Sequence, residues 1–138
     1  MSTTFSVLLI DDDATNNFLT QRLFTRLNVA DEVLVAETGQ QALDLLAAPG
    51  APVPTLVLLD LNMPGLSGAE FLARYQAQQP DPAARPVVVV LTTSTNQQDL
   101  TLIKQLNIDG LVNKPLTEEK LEHLLQLHFP ALLPSSQR

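Results

Sequence analysis

The chain has 138 residues, 45 % of them hydrophobic, with no cysteine and a formal net charge of -7 at pH 7; that is the size of one domain with a packed core, and it excludes whole-chain disorder, a disulfide framework and a thiolate metal site. Eight Lys and Arg spread thinly exclude the basic face from which a nucleic-acid binder takes its affinity. No apolar run approaches the roughly 20 residues that cross a bilayer, and no basic flank with an apolar stretch and cleavage site opens the chain, so a soluble, cytoplasmic protein with no membrane contact is expected.

Two kinds of segment alternate. Phe5–Ile10 is a short continuous apolar run, the pattern of a strand buried on both faces. Leu19, Leu23 and Leu27 then fall four apart and predict a first helix. Glu32–Glu37 holds Val33, Leu34 and Val35 between acidic ends, which suits a strand at a sheet edge. Gly39 opens a second helix lined by Ala42, Leu45 and Leu46, and Pro49-Gly50-Ala51-Pro52-Val53-Pro54 reads as a loop. Leu56–Leu59 is the next buried run, followed by a third helix marked by Phe71, Leu72 and Tyr75 and closed by Pro80-Asp81-Pro82. Val87–Leu91 is a fourth strand, Leu100, Ile103 and Leu106 mark a fourth helix, and Leu111–Val112 is a weaker fifth strand. Thr117 is placed to cap a fifth helix, with Glu118 and Glu119 in its first turn and Leu121, Leu124, Leu125 and His128 along it. Repeated β-α units with right-handed crossovers give a parallel sheet covered by helices on both faces. Residues 1–129 are expected to form the domain and 130–138 a short tail, with nothing that resembles a linker to an output domain.

The polar residues gather at the strand ends. In open α/β sheets the ligand site lies beyond the carboxyl ends of the strands. The first run ends in Asp11-Asp12-Asp13, the third in Asp60, the fourth in Thr92-Thr93-Ser94 and the fifth in Lys114-Pro115. Two unit charges about 4 Å apart repel by roughly 4 kcal/mol at an effective dielectric near 20. Asp11, Asp12 and Asp60 therefore need a positive partner, and Lys114 alone leaves the cluster negative. A hard divalent ion with oxygen ligands meets that need, and Mg²⁺ also accepts a phosphate into its shell. A carboxylate is a competent covalent nucleophile. A phosphoryl group on Asp60 is then held by the metal, by Lys114 and by the Thr92 hydroxyl, because phosphoryl transfer is mostly positioning and charge stabilisation.

This ordered set resembles the receiver domains of bacterial response regulators, over about residues 5–129. The resemblance implies a three-layer α/β/α sandwich whose five-stranded parallel sheet runs in the order 2-1-3-4-5, the flavodoxin-like arrangement. Asp60, within Leu-Leu-Asp-Leu-Asn-Met-Pro-Gly-Leu-Ser-Gly, matches the phosphoacceptor. Asp12 matches the direct Mg²⁺ ligand, Asp11 a ligand through water, and Asn62 the residue whose backbone carbonyl also binds the metal. Thr92 matches the switch hydroxyl, favoured over Thr93 by its spacing to Lys114, and Lys114-Pro115 matches the Lys-Pro pair, with a cis bond between them. The resemblance further implies a phosphoacceptor that catalyses only its own phosphorylation and dephosphorylation, fed by a sensor histidine kinase or histidine phosphotransfer protein. Output is expected through protein contacts on the fourth helix, fifth strand and fifth helix, about Asn96 to Phe129, in a monomer or weak homodimer. One position departs from the pattern. Three residues before the lysine, where the family often places Tyr or Phe, stands Leu111, so switching is expected to run mainly through the loop Thr93–Asn96 and the start of the fourth helix.

The remaining polar residues have plainer readings. Asp13 is a helix cap, Asn16 and Asn17 are first-turn helix residues, and Gly65 and Gly68 shape the loop after Asp60. His123 and His128, five apart on one helix, do not share a face as metal ligands would. A phosphatase resembling the haloacid dehalogenase group would need an aspartate where Asn62 stands and a cap insertion that these short loops lack. A receiver-like binding module that never takes a phosphoryl group is opposed by the presence of every residue the chemistry needs.

Overall fold

Five parallel strands form the centre of the chain: β1 (Ser6–Ile10), β2 (Glu32–Ala36), β3 (Leu56–Asp60), β4 (Val87–Thr92) and β5 (Gly110–Asn113). Around them lie α1 (Ala14–Leu27), α2 (Gly39–Ala47), α3 (Gly68–Gln78) and a C-terminal helix, α4 (Glu118–His128), the fifth helix of the sequence reading. The computed structural model describes residues 5–48, 50, 53–61, 63, 65–78, 85–93, 101 and 104–132. The sheet order is β2-β1-β3-β4-β5, as expected. β1 and β3 are buried along their whole length, whereas the edge strands β2 and β5 alternate between exposed and part-buried residues until β2 ends in the buried Ala36. Among the described residues no helix is long and apolar enough to cross a membrane.

The pleat divides the core in two. Leu8, Ile10, Val57, Leu59, Val88 and Val90 face α2 and α3, where they meet Ala42, Leu43, Phe71, Leu72 and Tyr75. The residues between them, Val7, Leu9, Leu56, Leu58, Val89 and Leu91, face α1 and α4 and meet Phe24, Leu121, Leu124 and Leu125. Each fully buried Val, Leu, Ile or Phe among them stabilises the fold by about 1.5–3 kcal/mol. Continuous apolar strands follow directly from this two-sided burial.

Two helix faces differ from the sequence reading. In α1, Leu19 is 53 % exposed and the buried residues are Asn17, Thr20 and Phe24, with Leu23 and Leu27 packed beside them. A strict spacing of four drifts around a helix of 3.6 residues per turn, so the stripe cannot keep one face inward. In α2, Leu43 is buried and Leu45 is 38 % exposed. Pro80-Asp81-Pro82, Leu100 and Ile103 lie outside the described residues; Leu106 packs against the core.

Register then fixes the site. Ile10 pairs with Ala36 and Leu59, Asp60 with Leu91, and Thr92 with Asn113. The carboxyl ends of four strands therefore reach one rim together. At the opposite end, Arg85 Nη2 lies 2.8 Å from Asp109 Oδ1 and the Val88 amide donates to Asp109 Oδ2 at 2.8 Å, which locks the starts of β4 and β5 together.

Candidate functional site

Asp11 follows β1 directly and is tied down on every side. Its amide donates to Ala36 O at 3.0 Å, its Oδ1 accepts from the Asp13 amide at 2.9 Å, and its carbonyl accepts from Asn17 Nδ2 at 2.9 Å. Asn17 is 6 % exposed, so this amide is committed to the acidic turn. Asp13 turns away: its carboxylate caps α1, accepting from the Thr15 and Asn16 amides at 2.9 and 3.2 Å. Asp12 is left exposed.

Asp60 ends β3 and is 4 % exposed. The start of α3 packs directly on its peptide, with the Gly68 amide donating to Leu61 O at 3.2 Å. A Cβ at Gly68 would stand 2.5 Å from the Asp60 carbonyl oxygen and 2.9 Å from Leu61 Cα. Glycine is required there by close approach. Gly65, in the same connection, has φ +74°, where a side chain is strained.

Lys114 follows β5, joined to Pro115 by a cis bond. Its amide donates to Thr92 O at 2.9 Å. Its ammonium donates to Asp11 Oδ2 at 3.1 Å and lies 3.3 Å from Asp60 Oδ1. Burial by itself lowers the pKa of this ammonium, but the hydrogen bond and charge of Asp11, joined by Asp60, outweigh it and hold the pKa above the usual lysine value.

One carboxylate oxygen from each of Asp11, Asp12 and Asp60 lies within 4.8 Å of the others. Such a set of hard oxygen donors fits Mg²⁺, which binds through one or two carboxylates while keeping waters. The cleft over these groups, about 410 Å³, is also lined by Asn16, Thr93 and Lys114. Thr92 is 1 % exposed, and the alternation of β4 sets it on the other face from Leu91, the partner of Asp60. The structure thus brings Asp11, Asp12, Asp60 and Lys114 together, with Thr92 buried at the rim and Thr93 on the cleft wall. Asn62 lies outside the described residues. A larger groove of about 560 Å³ between β5 and α4 is mostly apolar, lined by Leu111, Leu124 and Leu127, and holds no such cluster.

Two contributors were not apparent from the sequence. Asn17 holds the acidic turn, and Lys120 reaches back from α4 to accepting carbonyls at Asn113 and Pro115, at 2.8 and 3.1 Å. No motif flags either, since both act on backbone atoms rather than on one another.

A parallel five-stranded sheet with an acidic cluster and one lysine at its carboxyl edge defines a receiver-type α/β domain. The family model for the response regulator receiver domain matches residues 7–126, and the chain belongs to that family. The probable methanogenesis regulatory protein FilR2 of Methanothrix harundinacea is 33 % identical over 88 % of this chain and 79 % of its own length. The response regulator Rcp1 of Synechocystis is 32 % identical over 87 % of this chain and 83 % of its own length. The phosphorylated cyanobacterial phytochrome response regulator RcpA superposes with a TM-score of 0.78 at 29 % identity, covering 96 % of this chain and all of that one, 100 %. The chain is accordingly a receiver domain of a two-component system.

Proposed function

We propose that Asp60 accepts a phosphoryl group from a phosphohistidine of a kinase or phosphotransfer protein and that the phosphorylated domain signals through protein contacts. One observation carries this reading: the Lys114 ammonium stands between Asp11 and Asp60, 3.1 and 3.3 Å from their carboxylates, over an acidic cleft at the sheet edge. Family membership and the phosphorylated state of the RcpA neighbour support it.

In the proposed transfer an Asp60 carboxylate oxygen forms a bond to phosphorus as the P–N bond of the donor breaks. The electron pair of that bond leaves with the imidazole nitrogen. Asp11 and Asp60 hold the Lys114 ammonium where it meets the charge on the phosphoryl oxygens, a contact that strengthens as that charge develops. Asp12 and Asp60, with Asp11 beside them, would hold Mg²⁺, which supplies charge neutralisation for the phosphoryl oxygens when bound. The Thr92 hydroxyl, at the end of β4, closes on the product. The same groups position water for release, so the domain acts on its own phosphoryl group only.

Acetyl phosphate with Mg²⁺ should add one phosphoryl group to the native chain, read by intact mass, and Asp60→Asn should add none. An unchanged native mass sinks the reading.

A further inference from the structure

We infer that Lys120 is a positioning residue for Lys114, fixing the turn that aims the Lys114 ammonium into the acidic cleft. The inference rests on the role given to Lys114 above. Lys120 lies in the first turn of α4, where the Thr117 hydroxyl oxygen accepts from its amide at 3.2 Å. The positive end of the helix dipole disfavours a cation at that place. Its side chain runs back out of the helix instead. The ammonium donates to Asn113 O at 2.8 Å and to Pro115 O at 3.1 Å, the two carbonyls that bracket Lys114.

The peptide entering Lys114 is thereby held at both ends. Its N–H is fixed on Thr92 O at 2.9 Å and its C=O on Lys120. The same ammonium holds the carbonyl after the turn, using two of its three donors. With the backbone fixed on either side, the Lys114 side chain has little freedom beyond its own torsions, and both carboxylates lie within reach. Lys120 also joins the turn to α4, whose Leu121, Leu124 and Leu125 are seated in the core. A shift of Lys114 toward a phosphoryl group pulls on these carbonyls, and Lys120 passes that pull to the helix.

The test uses the full chain with Lys120→Met, which keeps the stem and removes the charge, and Lys120→Arg, which keeps the charge. Acetyl phosphate labelling of Asp60 in Mg²⁺ should slow about five- to tenfold in Lys120→Met, since misplacement of a reacting group by about 1 Å costs up to ~100-fold. Lys120→Arg should recover most of the rate. The deciding measurement is a double-mutant cycle: in a Lys114→Met background, Lys120→Met should cause no further loss. An equal loss in both backgrounds, or a Lys120→Met rate matching the native one, overturns the inference while native labelling leaves the proposed function standing. No label on the native chain fells both together.

Discussion

The Lys114 ammonium stands 3.3 Å from Asp60 Oδ1 although β5 and β3, which deliver them, are separated in the sheet by β4. With Asp11 at 3.1 Å the lysine is shared between two carboxylates that are 8 % and 6 % exposed in their side chains. Water screens so buried a group poorly, and breaking such a contact from one side costs about 3–5 kcal/mol. Its pKa is raised above 10.5, so protonation favours the fold. The contribution is fully present below 10.5 and disappears as pH rises through the folded-state value. Lys114→Met should therefore lower the urea midpoint by a constant amount between about pH 7 and pH 9, and the gap to the native chain should close only in stronger alkali. A gap that closes near neutrality would show that the ammonium is not held by these carboxylates.

The two neighbouring aspartates should separate cleanly. Asp13 spends its carboxylate on the α1 amides at 2.9 and 3.2 Å, while Asp12 is exposed and contributes an oxygen to the acidic cluster. Asp13→Ala should cost about 1 kcal/mol of stability, as a lost cap does, and leave Mg²⁺ affinity nearly unchanged. Asp12→Ala should do the reverse: little change in unfolding without metal, and Mg²⁺ affinity by calorimetry down at least about tenfold, since even the outer partner of a metal ligand is worth that much. Equal effects on metal binding would mean that the wrong carboxylate has been assigned to the site.

The sheet was legible because its inner strands are buried on both faces, and burial of that kind writes itself as Val7–Ile10, Leu56–Leu59 and Val87–Leu91. Asp11 and Asp60 were legible because each directly follows the apolar residues of such a run, and Lys114 because it stands beside a proline just past the weaker pair Leu111–Val112. The face of α1 was not. Asn17 and Thr20 point inward there, and a polar residue is buried at position 17 because its amide is needed on Asp11 O at 2.9 Å, a backbone contact that no hydropathy pattern records. Lys120 was hidden for the same reason, since its partners are the carbonyls of Asn113 and Pro115.

Gly68 offers a test of how tightly α3 fixes Asp60. An added Cβ would meet the Asp60 carbonyl oxygen at 2.5 Å, and that neighbour is backbone with nowhere to yield. Gly68→Ala should destabilise by about 1–3 kcal/mol, the cost of overpacking, and should slow Asp60 labelling as the Asp60 peptide moves. Gly65→Ala makes the comparison: φ is +74° but nothing lies within 4 Å of the new carbon. It should cost about 1–2 kcal/mol through backbone strain alone and label at close to the native rate. Labelling lost equally in both would place the defect in the loop rather than at the Asp60 peptide.

The proposed switching would proceed without an aromatic side chain three residues before Lys114, where Leu111 stands. Leu111 is 46 % exposed on the edge strand β5, paired with Val90, and a leucine has no hydroxyl to alternate between an outward hydrogen bond and burial. Thr92, 1 % exposed at the end of β4, is one strand away from Asp60, and Thr93 already lines the cleft. A bound group shifts a two-state equilibrium only by its differential affinity for the two states. In the proposed function, contact between a phosphoryl oxygen and the Thr92 hydroxyl would supply that difference at the end of β4, whereas the leucine side chain of Leu111 offers no donor for such a contact. Amide chemical shifts recorded before and after beryllofluoride occupies Asp60 should therefore change strongly from Thr92 and Thr93 onward toward Leu100, and weakly at Leu111. Leu111→Ala should leave those shifts in place. If Leu111 moves most, or if its truncation abolishes the response at Thr93, the leucine is itself the switch and β4 merely follows it.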